Sequence, residues 1–237
     1  MKDEIEKLKE YLEKASTFEL PSYDHLPAVS LYMEQVVSYI NDILKPLSTS
    51  EKQMLTSFMV NNYVKAKIIK EPDRKKYNVD HLGYLLAITL LKSVLPMGDI
   101  GLIISMDKDV STDKSALYRF FRTMSSDVFK DVAGKTKTRV ERFAETYEKN
   151  KIEDEEKAET YLNDSIGLIA FRMSIQSAVY QLMSQALFRY LEETVGTKPI
   201  EKKGEERREM KKEKKEAQRL ASINSKKEKN SKKEKGK

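Results

Sequence analysis

The chain is 237 residues long, and its 39% hydrophobic content can fill a sizeable core for one or two domains. It contains no Cys, which excludes a disulfide framework and a thiolate metal site within this sequence and fits a reducing cytoplasm. The formal net charge is +6, but residues 198–237 hold 17 Lys or Arg against 8 Glu, a net of +9, which leaves about −3 for residues 1–197. The body of the protein is therefore mildly acidic, and its overall basicity is no evidence that it binds nucleic acid.

Composition also favours a helical, soluble protein. Trp is absent and Gly is scarce at 8 residues, which disfavours an all-β fold, whereas long periodic segments rich in Leu, Lys, Glu and Met predict helices. No signal peptide or membrane-spanning helix is expected, because the most apolar stretch, residues 82–104, is interrupted by Lys92, Pro96 and Asp99. We expect a mainly α-helical cytoplasmic protein with no membrane association.

The chain begins with two predicted helices separated by a Pro-bracketed linker. Residues 3–14 form an amphipathic helix that serves as a packing or oligomer-contact arm, and with the linker they make an N-terminal region of residues 1–29. Ser30 can cap a second helix over residues 31–47. The apolar side chains of this second helix keep helical spacing: Val36, Val37, Ile40, Ile43, Leu44 and Leu47.

A short helix after Leu55 is the first candidate contact surface. Thr56 or Ser57 can cap its N-terminus, because their side-chain oxygens accept from the first free backbone N–H groups. The following residues divide between an apolar side, formed by Phe58, Met59, Val60 and Tyr63, and other faces that carry Asn61, Asn62 and Lys65. Asn is a poor helix former because its amide competes for nearby backbone groups. The adjacent pair either contacts adenine edges or phosphate oxygens of DNA, or supplies one capping bond beside an exposed neighbour.

A basic turn follows the short helix. Between residues 65 and 76, six cations stand against only Glu71 and Asp73: Lys65, Lys67, Lys70, Arg74, Lys75 and Lys76. Crowded cations repel each other, and a phosphate backbone relieves this repulsion while it releases condensed counterions. Tyr77 closes the run. This cluster is the local support for nucleic-acid binding by the folded part of the chain.

An apolar helix completes this region. Asn78 or Asp80 can cap a helix over residues 81–94, and Pro96 ends it. Its wide apolar face predicts a buried position for this helix and consists of Leu82, Leu85, Leu86, Thr89, Leu90, Leu91 and Val94. The aliphatic residues that follow it complete the core: Ile100, Leu102, Ile103 and Ile104. A short polar-faced helix, a basic turn and an apolar helix follow one another as in a winged helix-turn-helix, which we assign to residues 30–108.

Two sequence patterns carry a resemblance to a known family. The order NNYVKAKII, KKYNVDHL and LLKSVLPMGDIGLII resembles a MerR-type winged helix. More closely, LPSYDHLPAVSLYMEQV together with MVNNYVKAKIIKEPDRKKYNVDHL resembles a bacterial domain of unknown function assigned to the MerR-like group. The resemblance implies that Asn61, Asn62 and Tyr63 lie on the DNA-facing part of a recognition helix, and that Lys75 and Tyr77 lie on a phosphate-contacting wing.

The resemblance covers residues 18–106 and has two departures from the MerR pattern. Asn61 stands where that pattern usually has Arg, and Lys67 stands where it usually has Gly. A left-handed backbone at Lys67 would strain a non-Gly residue. The family membership that the resemblance implies brings a fold but no established ligand or target.

The segment after residue 106 changes character. In MDKDVSTDK the acidic residues alternate like calcium ligands, but the Gly of the sharp turn and the closing Glu are missing, so we reject a calcium loop. We expect Ser111 or Thr112 to cap a helix that runs to Val132 and is interrupted at Ala133 and Gly134. A second, highly charged helix follows.

A long helix over residues 158–195 has two apolar stripes. Alternating spacings of four and three residues form a heptad seam: Leu162, Ile166, Ile169, Met173, Gln176, Tyr180, Met183, Leu187 and Tyr190. A second stripe widens the same face: Leu168, Ile175, Val179, Leu182 and Ala186. We expect a homodimer through this helix, as the MerR resemblance implies. The alternatives are a monomeric bundle core and a ligand pocket lined by Phe171, Met173, Tyr180 and Met183.

The rest of the sequence supports no catalytic function. His25 and His81 lack a spacing partner for a metal or a Ser for acyl transfer, and no Gly-rich phosphate loop is present. His81 is expected to be exposed or to cap a helix. We interpret residues 109–197 as a helical dimerisation or partner-binding region and residues 198–237 as a disordered Lys- and Glu-rich tail.

The sequence therefore predicts a homodimeric, MerR-like transcription regulator that binds double-stranded DNA and uses no cofactor or metal. The predicted DNA contacts are Asn61, Asn62, Lys65, Lys67, Lys70, Arg74, Lys75, Lys76 and Tyr77. The alternative is a protein-protein interaction module that keeps a winged-helix scaffold without binding DNA, which the mildly acidic body favours.

Overall fold

The computed structural model describes residues 2–110 and 115–195 of the chain. In chain order its elements are α1 (Lys2–Ser16), β1 (Leu31–Tyr32), α2 (Met33–Leu44), α3 (Ser57–Lys65), β2 (Lys76–Tyr77), α4 (Val79–Leu91), α5 (Met97–Val110), α6 (Ala116–Asn150) and α7 (Glu155–Val195), with 3₁₀ turns at Tyr23–His25 and Lys45–Leu47. The predicted mainly helical fold is confirmed. The predicted tail, residues 198–237, lies outside the described residues.

None of the described helices combines the length and the apolarity that a membrane span requires.

Helices α2 to α5 share one hydrophobic core. Its buried residues are Val36, Ile40 and Leu44 from α2, Val60 and Tyr63 from α3, Leu82, Leu85, Leu86 and Ile88 from α4, and Ile100 and Ile104 from α5. Their helical spacing turns one side of each helix inward, as the sequence predicts. The same cluster includes Phe18, Leu20, Leu26 and Tyr118. The packed unit therefore extends on both sides beyond the residues 30–108 assigned from sequence.

The segment predicted as one helix over residues 31–47 is divided in the structure. Leu31 and Tyr32 form β1, which pairs antiparallel with Tyr77 and Lys76 of β2. Helix α2 then begins at Met33, and the Tyr32 N–H, not Ser30, belongs to its cap, donating to Gln35 Oε1 at 2.9 Å. The strand depends on a partner far along the chain, which local helical spacing does not reveal.

The N-terminal arm packs within its own chain. Ile5, Leu12 and Ala15 of α1 are buried, and α1 lies along α6. Lys137 of α6 forms an ion pair with Glu13 at 2.6 Å. The helix was expected to be either a packing arm or an oligomer-contact arm, and in the structure it packs against its own chain.

Helix α6 does not break where the sequence predicts. Ala133 and Gly134 lie inside one continuous helix of 35 residues that begins after Ser115, so the predicted interruption is wrong. A helical Gly costs only about 1 kcal/mol relative to Ala, and the buried side chains of Ala133 and Thr136 hold the helix on both sides of it. The predicted caps Ser111 and Thr112 lie outside the described residues.

Helices α6 and α7 form an antiparallel hairpin only where their ends meet. The rings of Phe143 and Tyr161 are 6.1 Å apart, and Tyr147 shares a small buried cluster with Leu162. At the far end of this contact, the Thr136 hydroxyl lies 3.9 Å from Met173 Sδ. Beyond this point the heptad seam of α7 is exposed. No described residue packs over this part of the seam, so it is not the core of a monomeric bundle. Phe171, Tyr180 and Met183 are exposed to solvent and do not line a pocket.

Candidate nucleic-acid interface

The N-terminus of α3 is capped as the sequence predicts. Thr56 is the N-cap residue, and its Oγ1 accepts from the Met59 N–H at 3.3 Å. Val60 and Tyr63 are buried in the core, so this side of α3 is fixed against the protein. The opposite side must then face solvent.

The exposed face of α3 carries four residues at helical spacing, namely Phe58, Asn61, Asn62 and Lys65. Their positions i, i+3, i+4 and i+7 bring them onto one side of a helix. The two amides and the amine are exposed, as predicted. Phe58 is 72% exposed and does not join the apolar side to which the sequence assigned it. Because Val60 follows two residues later, it points roughly 200° around the helix from Phe58, and only one of them can be buried.

Two polar side chains outside the predicted set hold the start of α3 in place. Asn41 of α2 donates to the Leu55 carbonyl at 2.8 Å and accepts from the Leu55 N–H at 3.0 Å. Lys92, at the end of α4, donates through Nζ to the Met54 carbonyl. Partial burial lowers the pKa of Lys92. The sequence could have indicated both contacts, because Asn41 and Lys92 are polar residues within or next to an apolar stripe. A polar atom that is buried at such a position needs a hydrogen-bond partner.

Helix α3 ends in a turn that places Lys67 in a left-handed conformation. Lys67 has φ 61°, the Ile68 N–H donates to the Tyr63 carbonyl at 3.0 Å, and the Lys67 N–H donates to the Val64 carbonyl at 2.9 Å. These two bonds define a Schellman motif, whose left-handed position is usually Gly. The left-handed backbone that the MerR resemblance implies at Lys67 is therefore present, and it strains a non-Gly residue.

The basic hairpin, residues 67–77, has a tip made of two cations. Arg74 has φ 46° and Lys75 has φ 65°, and the Lys76 N–H donates to the Asp73 carbonyl at 2.8 Å. Positive φ at both central positions is what a type I′ turn requires, and Asn-Gly is the preferred pair there. Together with Lys67, these are the three non-Gly residues with positive φ in the described chain.

The cations of the hairpin and of α3 have no acidic partner among the residues that the structure describes. Lys65, Lys67, Lys70, Arg74, Lys75 and Lys76 are all exposed, and none of them forms a salt bridge with another described residue. Within the part of the chain that the structure describes, the Lys76 ammonium contacts a ring and lies 5.1 Å from the centroid of Tyr32. Six cations beside two carboxylates leave this surface locally positive, although the body of the chain is acidic.

Tyr77 is placed differently from the other predicted contacts. Its side chain is only 3% exposed, and its ring meets the edge of His81 at a centroid distance of 5.4 Å. Burial raises the pKa of the Tyr77 hydroxyl. Alternation along β2 turns Tyr77 into the core and Lys76 outward. Tyr77 therefore packs in the core beneath the hairpin, and its burial contradicts its prediction as a DNA contact.

His81 fastens the hairpin to α4. The Nε2–H donates to the Lys70 carbonyl at 3.2 Å, and Nδ1 lies 3.2 Å from the Asn78 backbone nitrogen and 2.5 Å from Asn78 Oδ1. Asn78 Oδ1 in turn accepts from the His81 N–H, so the predicted cap by Asn78 is confirmed. His81 takes part in this cap but is buried, and burial lowers its pKa. The hairpin is thus anchored by the His81 imidazole and by the buried side chains of Ile68 and Ile69.

The segment that forms this surface matches a known protein family. Residues 21–123 match the model of a family described as a domain of unknown function, DUF1836. The match includes the whole of α3 and the basic hairpin, and it agrees with the resemblance to a domain-of-unknown-function family. No curated protein matches the chain, and no solved structure matches it.

Proposed function

We propose that this chain is a non-catalytic DNA-binding protein, a MerR-like transcription regulator with a winged helix-turn-helix. In this proposal α3 enters the major groove and the basic hairpin is the wing. The main support for this proposal is that three cations, Lys67, Arg74 and Lys75, have a strained backbone with positive φ. Gly or Asn would occupy these positions with less strain.

The exposed face of α3 has the chemistry of base and phosphate recognition. An Asn amide can pair with N6 and N7 of adenine, and Phe can contact the methyl group of thymine. Asn61, Asn62 and Phe58 would therefore favour A·T pairs, while Lys65 binds a phosphate. The Thr56 cap, Asn41 and Lys92 fix this helix from behind, which limits the ordering that binding requires.

The hairpin has the chemistry of backbone contact. A left-handed conformation costs a non-Gly residue roughly 1–2 kcal/mol, so cations at three such positions are poor choices for stability alone. Each exposed cation would instead neutralise one phosphate and release counterions. Because the six cations of α3 and the basic hairpin form no salt bridge within residues 2–110 and 115–195, DNA binding breaks none there.

The test replaces the hairpin tip with its structurally preferred pair, Arg74→Asn with Lys75→Gly. We expect this variant to be more stable, because the type I′ turn loses its strain, but to bind duplex DNA more weakly. Binding to a random-sequence duplex is measured by fluorescence anisotropy between about 50 and 200 mM salt, and the slope of log K against log salt should fall by about 2.

A matched control removes two exposed cations of α6, Lys130→Asn with Lys149→Asn, in the same full-length chain. Both variants keep the basic residues after residue 197 and lose the same charge. The control should keep its salt slope. An equal decrease of the salt slope in both variants would mean that only the net charge matters. A salt slope that the tip substitution leaves unchanged would show that the hairpin does not contact DNA.

Phe58 supports a second candidate from another class, a protein-protein interaction module without DNA binding. Exposed aromatic residues are typical of protein interfaces, and Phe58 is the large apolar side chain on the outer face of α3. If the wild-type chain binds no duplex at about 50 mM salt, where phosphate contacts are strong, this candidate replaces the first.

A further inference from the structure

The C-terminal part of α7 has an apolar face that its own chain leaves uncovered. Ten large apolar side chains between residues 168 and 190 are exposed: Leu168, Phe171, Met173, Ile175, Val179, Tyr180, Leu182, Met183, Leu187 and Tyr190. Residues 173–188 carry no charged side chain. The opposite side of the helix is mostly small or polar, with Ser174, Ser177, Ala178, Gln181 and Gln185, and it also carries the half-buried Phe188. This part of the helix is therefore amphipathic although most residues on both of its sides are exposed.

A second uncovered stripe lies on the N-terminal half of α6. Phe120, Met124, Val128 and Val132 follow one another at intervals of four residues and are 43–64% exposed. The other side of α6 is packed, since Tyr118 belongs to the main core and Phe121 and Phe129 lie against it. This stripe ends at Val132, one helical turn before Thr136, which contacts Met173 of α7. The two apolar stripes therefore meet at one edge.

We propose that a second copy of this chain covers both stripes, so that α7 of each protomer packs against α6 and α7 of its partner around a two-fold axis. The heptad seam of α7 has the spacing that knobs-into-holes packing between helices requires. In a two-fold dimer the same patch serves both partners, and a stripe on α6 beside a stripe on α7 is such a self-complementary surface. This inference does not depend on DNA binding.

The exposed area is large enough for a stable dimer. Phe171, Tyr180 and Tyr190 are 63–72% exposed, and at roughly 150–250 Å² for each aromatic side chain they leave about 300–500 Å² in water. This alone equals the largest apolar patch of a typical monomer. Seven further side chains of α7 and four of α6 add to it, which reaches the roughly 800 Å² per partner that a standard interface buries.

Other occupants fit this surface less well. Residues 196–237 are rich in Lys and Glu and contain few apolar side chains, so they cannot cover such a face. A lipid surface favours helices with Lys or Arg along the polar side, whereas the polar side of α7 holds Ser, Ala and Gln between Arg172 and Arg189. A second copy brings an apolar face of matching length.

The test measures the mass of the full-length chain by sedimentation equilibrium. We expect twice the 27.5 kDa of one chain. Leu182→Glu on α7 and Met124→Glu on α6 should each weaken dimerisation by at least about tenfold, because each places an unpaired charge in the apolar contact. Both side chains are exposed in the single chain, so neither substitution disturbs its core.

Gln181→Glu is the matched control, because it adds the same charge to the neighbouring residue on the opposite side of α7. It should leave the dimer intact.

Three results would overturn this proposal. The first is a monomer at every concentration. The second is a dimer that tolerates both Glu substitutions. The third is a monomer that sediments with neutral phosphatidylcholine vesicles, and loses this with Leu182→Glu, because that outcome would assign the face to a lipid surface.

Discussion

The two exposed helical faces of this protein differ in chemistry although both lie outside a packed interior. The outer face of α3 and the basic hairpin carries amides and cations, and Lys92 and His81 fasten it to the core behind it. The outer face of α7 carries aromatic and aliphatic side chains and has no layer behind it beyond Met173. The first surface suits a charged, hydrated partner, and the second suits an apolar one. The two surfaces therefore differ in the chemistry of their exposed side chains.

The largest expected difference between the two regions is the effect of removing a Leu side chain. Leu86→Ala opens a cavity in the core of α2 to α5, and we expect the free energy of unfolding to fall by about 2–5 kcal/mol at every protein concentration. Leu182→Ala removes an exposed side chain, so the same quantity should change by less than about 0.5 kcal/mol at the lowest concentrations. Urea denaturation followed by circular dichroism measures both.

The concentration dependence sharpens this comparison. If α7 is a dimer contact, the effect of Leu182→Ala should grow as protein concentration rises, because association stabilises the folded state by mass action. The effect of Leu86→Ala should not. An effect of Leu182→Ala that is large and independent of concentration would mean that α7 is buried within its own chain.

Two helical Gly residues should respond to Ala with opposite signs. A Cβ at Gly83 of α4 would lie 3.1 Å from Tyr118 Cδ2, and this overpacking should lower the free energy of unfolding by about 1 kcal/mol after the gain in helix propensity. A Cβ at Gly134 of α6 meets nothing within 4 Å, so Ala should stabilise the chain by up to about 1 kcal/mol. Thermal unfolding distinguishes the two, and stabilisation by both substitutions would show that the α4–α6 contact is loose.

The smallest expected effect is a pH dependence confined to the hairpin. Burial, the largest cause, holds the pKa of His81 below its usual value of 6.5, while the Lys70 carbonyl and the Asp80 carboxylate act in the opposite direction. The unfolded chain therefore takes up this proton more readily. The stability that neutral His81 provides is complete above pH 6.5 and is lost as the pH falls towards its folded pKa.

Amide hydrogen exchange can locate this effect. After correction for intrinsic rates, protection of residues 68–77 should decrease as the pH is lowered below 6.5, whereas the helical amides of α6 and α7, elements without His, should not follow. His81→Gln keeps a side-chain N–H for the Lys70 carbonyl and does not titrate. It should remove the His81 part of the dependence, and an unchanged profile would assign the effect to carboxylates.

Much of the candidate surface was predictable because its signals are local. The Thr56 cap and the Asn78 cap each depend on residues within one helical turn, whereas the left-handed backbone at Lys67 was expected from the resemblance to the MerR pattern. The exposed Asn pair followed from helical spacing. In contrast, Phe58 and Tyr77 were assigned to the wrong sides because their burial depends on which face of a short element meets the core.

The sequence by itself determined that the chain is mainly helical, where most of its helices lie and which residues are charged and unpaired by near neighbours. These properties arise from interactions within a few residues. Only the tertiary structure decided that α6 continues through Gly134, that β1 pairs with β2 and that the α7 seam is open. Each of these depends on contacts between residues distant in the chain, whose packing energy outweighs the roughly 1 kcal/mol of a local propensity.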